Sequence, residues 1–266
     1  MMKKTHINQS ANEHVSVYDR GFNYGDGFFT TAKICDGQVE HWDLHCARLL
    51  SCQQRLGFSA LDFELLQAEI TTFIRGVSLG GLKIVITRGE GGRGYGPPST
   101  EAHTIVLSQF DYPEHYSNWQ QQGLELEVAS TRLGLQPLLA GLKTLNRLEQ
   151  VLIKQEISGN QWQDAVVLDL NGHVIESSMA NLIAVKDQQF YTPSLQNSGI
   201  EGVYLQHLTS KHRISVCTIE LQQLLAMDAV FCCNSLMGLI PVTRIQHRYF
   251  DLELAKQLKQ KLEPSA

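Results

Sequence analysis

No uninterrupted apolar stretch in this sequence approaches the ~20 residues that a membrane-spanning helix requires, so no such helix is expected. After Met1-Met2-Lys3-Lys4 the chain turns polar at His6-Ile7-Asn8-Gln9-Ser10, where a secretory signal needs an apolar run of about 7–15 residues. A cytoplasmic protein is therefore expected, with no membrane partner. Charge of one sign is also scarce. The formal net charge is -5, and cationic clusters such as Lys211-His212-Arg213 are short and interrupted. Nucleic-acid binding needs a concentrated basic face, which this pattern excludes. The six cysteines contain no Cys-x-x-Cys pair, and the neighbours Cys232 and Cys233 cannot easily bridge each other or jointly close a metal site. Neither a disulfide framework nor a metal centre is expected, and buried free thiols are. The glycine-rich stretch Arg88-Gly89-Glu90-Gly91-Gly92-Arg93-Gly94-Tyr95-Gly96 lacks the Gly-Lys-Ser/Thr ending that makes a phosphate-cradling P-loop. Internal repeats and low-complexity tracts are absent as well.

What the chain does have is length and an ordinary globular balance. Its 266 residues, 43% hydrophobic and 18% charged, suffice for two cores. Apolar residues recur at helical spacing between Asp43 and Leu56 and again between Leu61 and Ile74, which predicts two helices. Strand-like runs follow at Leu82–Thr87 and Thr104–Leu107, and Leu124–Val128 alternates apolar with acidic residues at period two. From Leu145 to Ile157 the period becomes helical, with Leu145, Leu148 and Leu152 on one stripe and Thr144 at the capping position. Further strands are read at Ala165–Leu168, Asn181–Val185, Gln189–Tyr191, Ile214–Ile219 and Ala229–Cys233, with helices near 202–212 and 252–262. Tyr112-Pro113 and the polar residues after it break both patterns. The reading is α+β, with an N-terminal domain over 1–113, a linker over 114–122 and a β-rich C-terminal domain over 123–266.

One lysine stands out. Lys143 follows the apolar Leu138-Leu139-Ala140-Gly141-Leu142 and precedes the expected helix, so desolvation and a helix N-terminus would both favour its neutral amine. A neutral amine is the form that makes a Schiff base or removes a proton.

The segment Ala140-Gly141-Leu142-Lys143-Thr144-Leu145-Asn146-Arg147-Leu148-Glu149-Gln150 resembles the Schiff-base lysine segment of aminodeoxychorismate lyases, members of the class IV aminotransferase, fold-type-IV group. Further segments agree in order from Asp19 to about Val242. Gly172-His173-Val174-Ile175-Glu176-Ser177-Ser178-Met179-Ala180-Asn181-Leu182 is similar to the segment whose Glu meets the cofactor's pyridine nitrogen, which falls on Glu176. Asp43–Leu49 resembles the helix bearing a phosphate-binding arginine, here Arg48, and Gly199-Ile200-Glu201-Gly202-Val203-Tyr204 the phosphate turn. In that turn the amides of Val203 and Tyr204 would bind and Ile200 would pack on the ring. Tyr204 stands where many aminotransferases have Thr, so only its backbone role transfers. Cys233–Val242 is similar to a late segment whose hydroxyl reaches the phosphate, matched by Ser235 in place of a common Thr. The Gly-Gly-Arg-Gly-Tyr loop resembles a substrate loop in which Arg93 holds a carboxylate. Asp19–Thr31 also matches, with Thr31 as a proton-handling or substrate-contact residue and Phe28 and Phe29 as core.

The resemblance implies a two-domain branched-chain-aminotransferase-like fold, pyridoxal 5'-phosphate (PLP) as cofactor, a small-molecule substrate, a homodimer and a functional link to aminodeoxychorismate synthase. The implied reaction releases 4-aminobenzoate and pyruvate from 4-amino-4-deoxychorismate, a step of folate biosynthesis. Lys143 would take the ring proton, and either Lys143 or Thr31 would deliver one to the leaving group. An aminotransferase for D- or branched-chain amino acids shares fold and cofactor and stays open as an alternative, as does a non-catalytic PLP-binding protein.

Overall fold

A computed structural model describes residues 2–10 and 14–263, so the outer ends of the two expected domains, at 1 and 266, lie outside the described residues. The chain divides into two units. The first takes residues 1–112 together with Leu142–Asn146, and the second takes Pro113–Gly141 and 147–266.

The first unit contains β1 (Met2–Ile7), α1 (Arg20–Tyr24), β2 (Gly27–Cys35), β3 (Gln38–Val39), α2 (Trp42–Arg55), α3 (Phe63–Phe73), β4 (Leu79–Thr87) and β5 (Thr104–Phe110). Its sheet has the order β1-β5-β4-β2-β3, and β2 pairs with β4 over nine residues in antiparallel register. Side chains alternate across such a strand. Phe28, Thr30, Ala32 and Ile34 are buried, while Phe29, Thr31, Lys33 and Cys35 are half exposed. Leu49 and Cys52 of α2 and Leu66, Ile70 and Phe73 of α3 recur at helical spacing and complete the core on the buried face. Asp62 caps α3 by accepting from the Leu65 amide at 2.9 Å.

The second unit contains α4 (His115–Gln122), β6 (Leu124–Val128), α5 (Leu148–Asn160), β7 (Asp164–Leu168), β8 (Val174–Ser177), β9 (Asn181–Lys186), β10 (Gln189–Pro193), α6 (Val203–Lys211), β11 (Ile214–Cys217), α7 (Leu221–Leu225), β12 (Ala229–Asn234), β13 (Gly238–Ile245), β14 (Arg248–Tyr249) and α8 (Leu252–Leu262). Its sheet runs β11-β10-β9-β12-β13-β6-β7-β8, with β14 on β13. The strands β7, β9 and β12 are near-continuous apolar runs because both faces are covered. Ile183, Phe231 and Cys233 face Leu205, Leu208 and Leu258 of α6 and α8, whereas Ala165 and Val167 face Ile153 and Ile157 of α5. Cys232 and Cys233 are fully buried free thiols.

Two expectations are corrected. The segment 114–122 is not a linker: it carries α4, whose Tyr116 is buried and whose Gln120 donates to the Met237 carbonyl at 2.9 Å within the second unit. Nor does a helix begin at Leu145 under a Thr144 cap. Helix α5 starts at Leu148, and Leu148 and Leu152 are exposed while Ile153 and Ile157 are buried. The backbone before it is committed elsewhere. The Phe29 amide donates to the Lys143 carbonyl at 2.9 Å, and the Leu145 amide donates to Gly27 at 3.0 Å, so these groups are unavailable for a helical ladder.

That pairing depends on a missing side chain. A Cβ at position 27 would lie 2.6 Å from the Ile86 carbonyl oxygen and 2.7 Å from a Leu145 methyl. Gly27→Ala is therefore expected to cost about 1–3 kcal/mol and to lower Tm by several degrees. An unchanged thermal unfolding midpoint would show that this backbone approach carries no such constraint.

Candidate active site

In the first unit the lysine segment continues the alternation of β2. Leu142 and Thr144 are 3% and 2% exposed and belong to the buried side, and Thr144 bridges Phe28. Lys143 is thereby turned the other way. Its Nζ lies 4.6 Å from the centroid of the Phe29 ring, and the Nζ of Lys83 lies 5.0 Å from the same centroid. Lys83 is the register partner of Thr31 across β2 and β4. Lys143, Phe29, Thr31 and Lys83 thus form one cluster on the open face of the sheet. Phe29, expected in the core, serves instead as the ring between two ammonium groups, an arrangement that the negative face of an aromatic favours. Lys83 was not singled out by sequence reasoning. Its signal was the period-two pattern of Leu82–Thr87, which becomes informative only once the register with β2 is known.

Arg48 sits on the opposite face. It extends from α2, is 8% exposed, and donates from Nη1 to the Thr30 hydroxyl at 3.5 Å. The same hydroxyl lies 2.6 Å from Nδ1 of the fully buried His45. Arginine only donates, so the Thr30 hydroxyl accepts from Arg48. His45 Nε2 is buried and meets no hydrogen-bond partner among the described residues. Burial, and after it the charge of Arg48, pushes the His45 pKa down to about 3, so the imidazole is neutral at physiological pH.

The loop after β4 is built around another arginine. Arg20 has a buried guanidinium that donates to Asp26 Oδ2 at 2.7 Å and to the carbonyls of Gly94, Tyr95 and Gly96 at 3.2, 2.8 and 3.0 Å. Arg88 shares the same Asp26 oxygen at 2.9 Å and also pairs with Glu101. Arg93, in the middle of this loop, is exposed.

The second unit gathers the other expected residues. Glu176 on β8 is 6% exposed, and its Oε2 accepts from the Ile200 amide at 3.0 Å. Ile200 is fixed further by Asn181, whose Nδ2 donates to its carbonyl at 2.8 Å. Gly141 donates to the Gly199 carbonyl at 3.0 Å and accepts from the Glu201 amide at 3.1 Å, two residues before Lys143 in the chain. The turn leads into α6, whose N-cap is Gly202 with no side-chain cap. A Cβ on Gly202 would lie 2.0 Å from Asn181 Oδ1, so glycine is required here. The amides of Val203 and Tyr204 open this helix, the end where an anion is favoured. The Tyr204 hydroxyl bonds Glu263 at the end of α8, which leaves position 204 its backbone role only. Ser235 lies in the turn after β12, where Asn234 Oδ1 accepts from the amides of Leu236 and Met237 at 2.9 Å each. Asn234 Nδ2 donates to the Met179 carbonyl at 3.2 Å, which sets the turn beside the segment that follows Glu176.

The structure therefore groups Lys143 with Thr31 in the first unit, and Glu176 with Ile200, Val203, Tyr204 and Ser235 in the second. Arg48 and Arg93 occupy separate places in the first. The helix-start argument for Lys143 does not hold, because α5 begins five residues later.

A neutral buried His45 has a stability signature. The folded state takes up no proton there above pH ~3, whereas an unfolded histidine titrates near 6.5. Stability contributed at this site is complete above 6.5 and falls as pH drops toward 3, by up to about 1.4 kcal/mol per pH unit. His45→Gln should lose less stability than wild type between pH 7.5 and 5 in urea titrations; equal losses would show that His45 takes up protons normally in the fold.

The chain is similar to known proteins over most of its length. Residues 27–245 match the amino-transferase class IV family. An aminodeoxychorismate lyase from Vibrio harveyi is 44% identical over 245 residues, covering 90% of each chain. The crystal structure of 4-amino-4-deoxychorismate lyase from Pseudomonas aeruginosa superimposes with a TM-score of 0.91 at 34% identity, covering 97% of this chain and 98% of that one. A hypothetical aminotransferase from Mycobacterium tuberculosis in PLP-bound form has the same fold, with a TM-score of 0.83 at 16% identity and coverage of 99% and 98%. By sequence and by fold, the chain belongs to the amino-transferase class IV family, among its aminodeoxychorismate lyases.

Proposed function

We propose that this protein is a PLP-dependent lyase that converts 4-amino-4-deoxychorismate to 4-aminobenzoate and pyruvate, a step of folate synthesis. The observation that carries the reading is the cluster on the open face of β2, in which Lys143 and Lys83 flank Phe29 beside Thr31. A lyase for this substrate needs one amine for proton transfer and fixed cations for two carboxylates, and the cluster supplies an amine with a second cation next to it.

The residues fit the cofactor. Lys143 is the amine that would hold it covalently, and the amides at the start of α6, with Ser235 and Arg48, would be the donors for its phosphate. Glu176, oriented by the Ile200 amide, is the carboxylate for its ring nitrogen. When bound, PLP supplies an electron sink conjugated to the substrate's amine. Glu176 keeps the ring nitrogen protonated, which is what makes the sink effective. With the cofactor bound, Lys143 would take the proton from the amine-bearing ring carbon. The ether bond to the enolpyruvyl group then breaks, the ring becomes aromatic, and the enolpyruvate leaves to become pyruvate on protonation by Lys143 or Thr31. Lys83 and Arg93 hold the substrate carboxylates.

Lys143→Ala should remove both turnover and the visible cofactor band of the purified protein. The decisive assay is fluorescence detection of 4-aminobenzoate formed from aminodeoxychorismate. Rapid transamination of D- or branched-chain amino acids with no 4-aminobenzoate formed would assign the chain to the aminotransferases instead.

The proposal includes a homodimer. No helix among the described residues is long and apolar enough to cross a membrane. Yet Leu148, Val151 and Leu152 lie on one face of α5 and are 78%, 49% and 53% exposed. A second copy would cover such a face. Replacing Leu148 and Leu152 together with Asp should convert the dimer to monomer in sedimentation experiments, and an unchanged dimer would place the interface elsewhere.

A further inference from the structure

The substrate loop owes its shape to one side chain. Arg20 leaves α1 and enters the loop, where Gly91 makes room for it: a Cβ on Gly91 would lie 2.8 Å from Arg20 Cδ. Its guanidinium then spends three bonds on the consecutive carbonyls of Gly94, Tyr95 and Gly96 and one on Asp26. The Tyr24 hydroxyl accepts from the Gly94 amide at 3.1 Å, and the Tyr24 ring lies 4.9 Å from the Arg20 guanidinium and edge-on to Tyr95 at 5.6 Å. The loop's beginning is tied to the same point, because the Arg20 amide donates to Gly89 at 2.8 Å and Arg88 shares Asp26 Oδ2. Residues 92–97 are exposed and lie outside the buried core of the first unit. The hydrophobic core therefore does not fix this loop, and the hydrogen bonds of the buried Arg20 guanidinium do.

We propose that Arg20 is a positioning residue for substrate recognition: by clamping residues 94–96 it presents the exposed Arg93 guanidinium in a single place to receive a substrate carboxylate. This rests on the reading of Arg93 as a carboxylate ligand. Arg20 is fully buried and does not itself meet the substrate. A rigid fork of five donors is what three consecutive carbonyls and a carboxylate require, and lysine, a point charge with three donors, would keep the ion pair to Asp26 while releasing the loop.

The test is a double-mutant cycle on the PLP-loaded enzyme, with KM and kcat for aminodeoxychorismate as readouts and the visible cofactor spectrum as control. Arg20→Lys is expected to raise KM by on the order of 10-fold or more, with kcat less affected and the spectrum unchanged, since misplacing a binding group by about 1 Å can cost up to 10²-fold. In an Arg93→Ala background the same change should alter KM by less than about 2-fold, because the group it positions is gone. Tyr24→Phe removes only the hydroxyl that accepts from Gly94 and should follow the same pattern with a smaller KM effect; it decides the matter if Arg20→Lys does not fold. Equal KM effects with and without Arg93, or no KM effect from either substitution, would overturn the clamp while leaving the role of Arg93 intact. If Arg93→Ala alone leaves KM at the wild-type value, the carboxylate-ligand reading fails and this inference fails with it.

Discussion

The arrangement depends on a backbone pairing, that of residues 143 and 145 with 27 and 29. Two hydrogen bonds extend the pleat of β2 onto a segment that has no strand of its own, and the alternation that follows buries Leu142 and Thr144 and turns Lys143 outward. A lysine in an exposed loop samples many rotamers, and ordering such a side chain costs about 1.5–2 kcal/mol. Here the main chain on both sides of it is fixed before any ligand arrives. Gly27 permits the approach because it places no Cβ against the Ile86 carbonyl.

Much of this was legible in the sequence, for reasons that show where legibility ends. Strands such as β7 and β12 and the helices α2, α3 and α8 announce themselves through their own periods and caps, which are local properties. Helix α5 exposes the weakness of period alone. Leu148 and Leu152 do form an apolar stripe at helical spacing, but a stripe does not say what covers it, and the core is reached instead by Ile153 and Ile157. Its start was misplaced because Leu145 and Thr144 look helical in isolation, whereas their hydrogen bonds go to a strand more than a hundred residues earlier. The same non-local cause hid Lys83 and the true place of Phe29: each needed the register of β2 with β4. The burial of Glu176 has no local signal, since an isolated Glu is usually a surface charge.

Charge distribution reconciles an acidic chain with anionic ligands. The net charge of -5 is a property of the whole surface, and it says little about a local field screened within about 10 Å. Within the first unit, Lys83, Lys143 and Arg48 lie along β2 and α2, and Arg93 on the loop after β4. The second unit offers a helix start and the buried carboxylate of Glu176. Cations in the first unit and oriented amides in the second are thus local features of a chain that is acidic overall.

The two kinds of residue are anchored in physically different ways, and this bears on how the family can change its substrates. Lys143 and Glu176 are held by main-chain bonds to strands and turns, so displacing them means breaking sheet structure. Arg93 lies next to residues 94–96, whose carbonyls are held by a single buried guanidinium, so its place can be altered without touching either core. A scaffold built this way holds a strand-borne group such as Lys143 constant while a loop-borne one such as Arg93 is free to vary, because sheet-borne groups are costly to move and loop-borne ones are not. Reaction chemistry shared with aminotransferases, joined to a different choice of substrate, is the outcome such a division of anchoring permits.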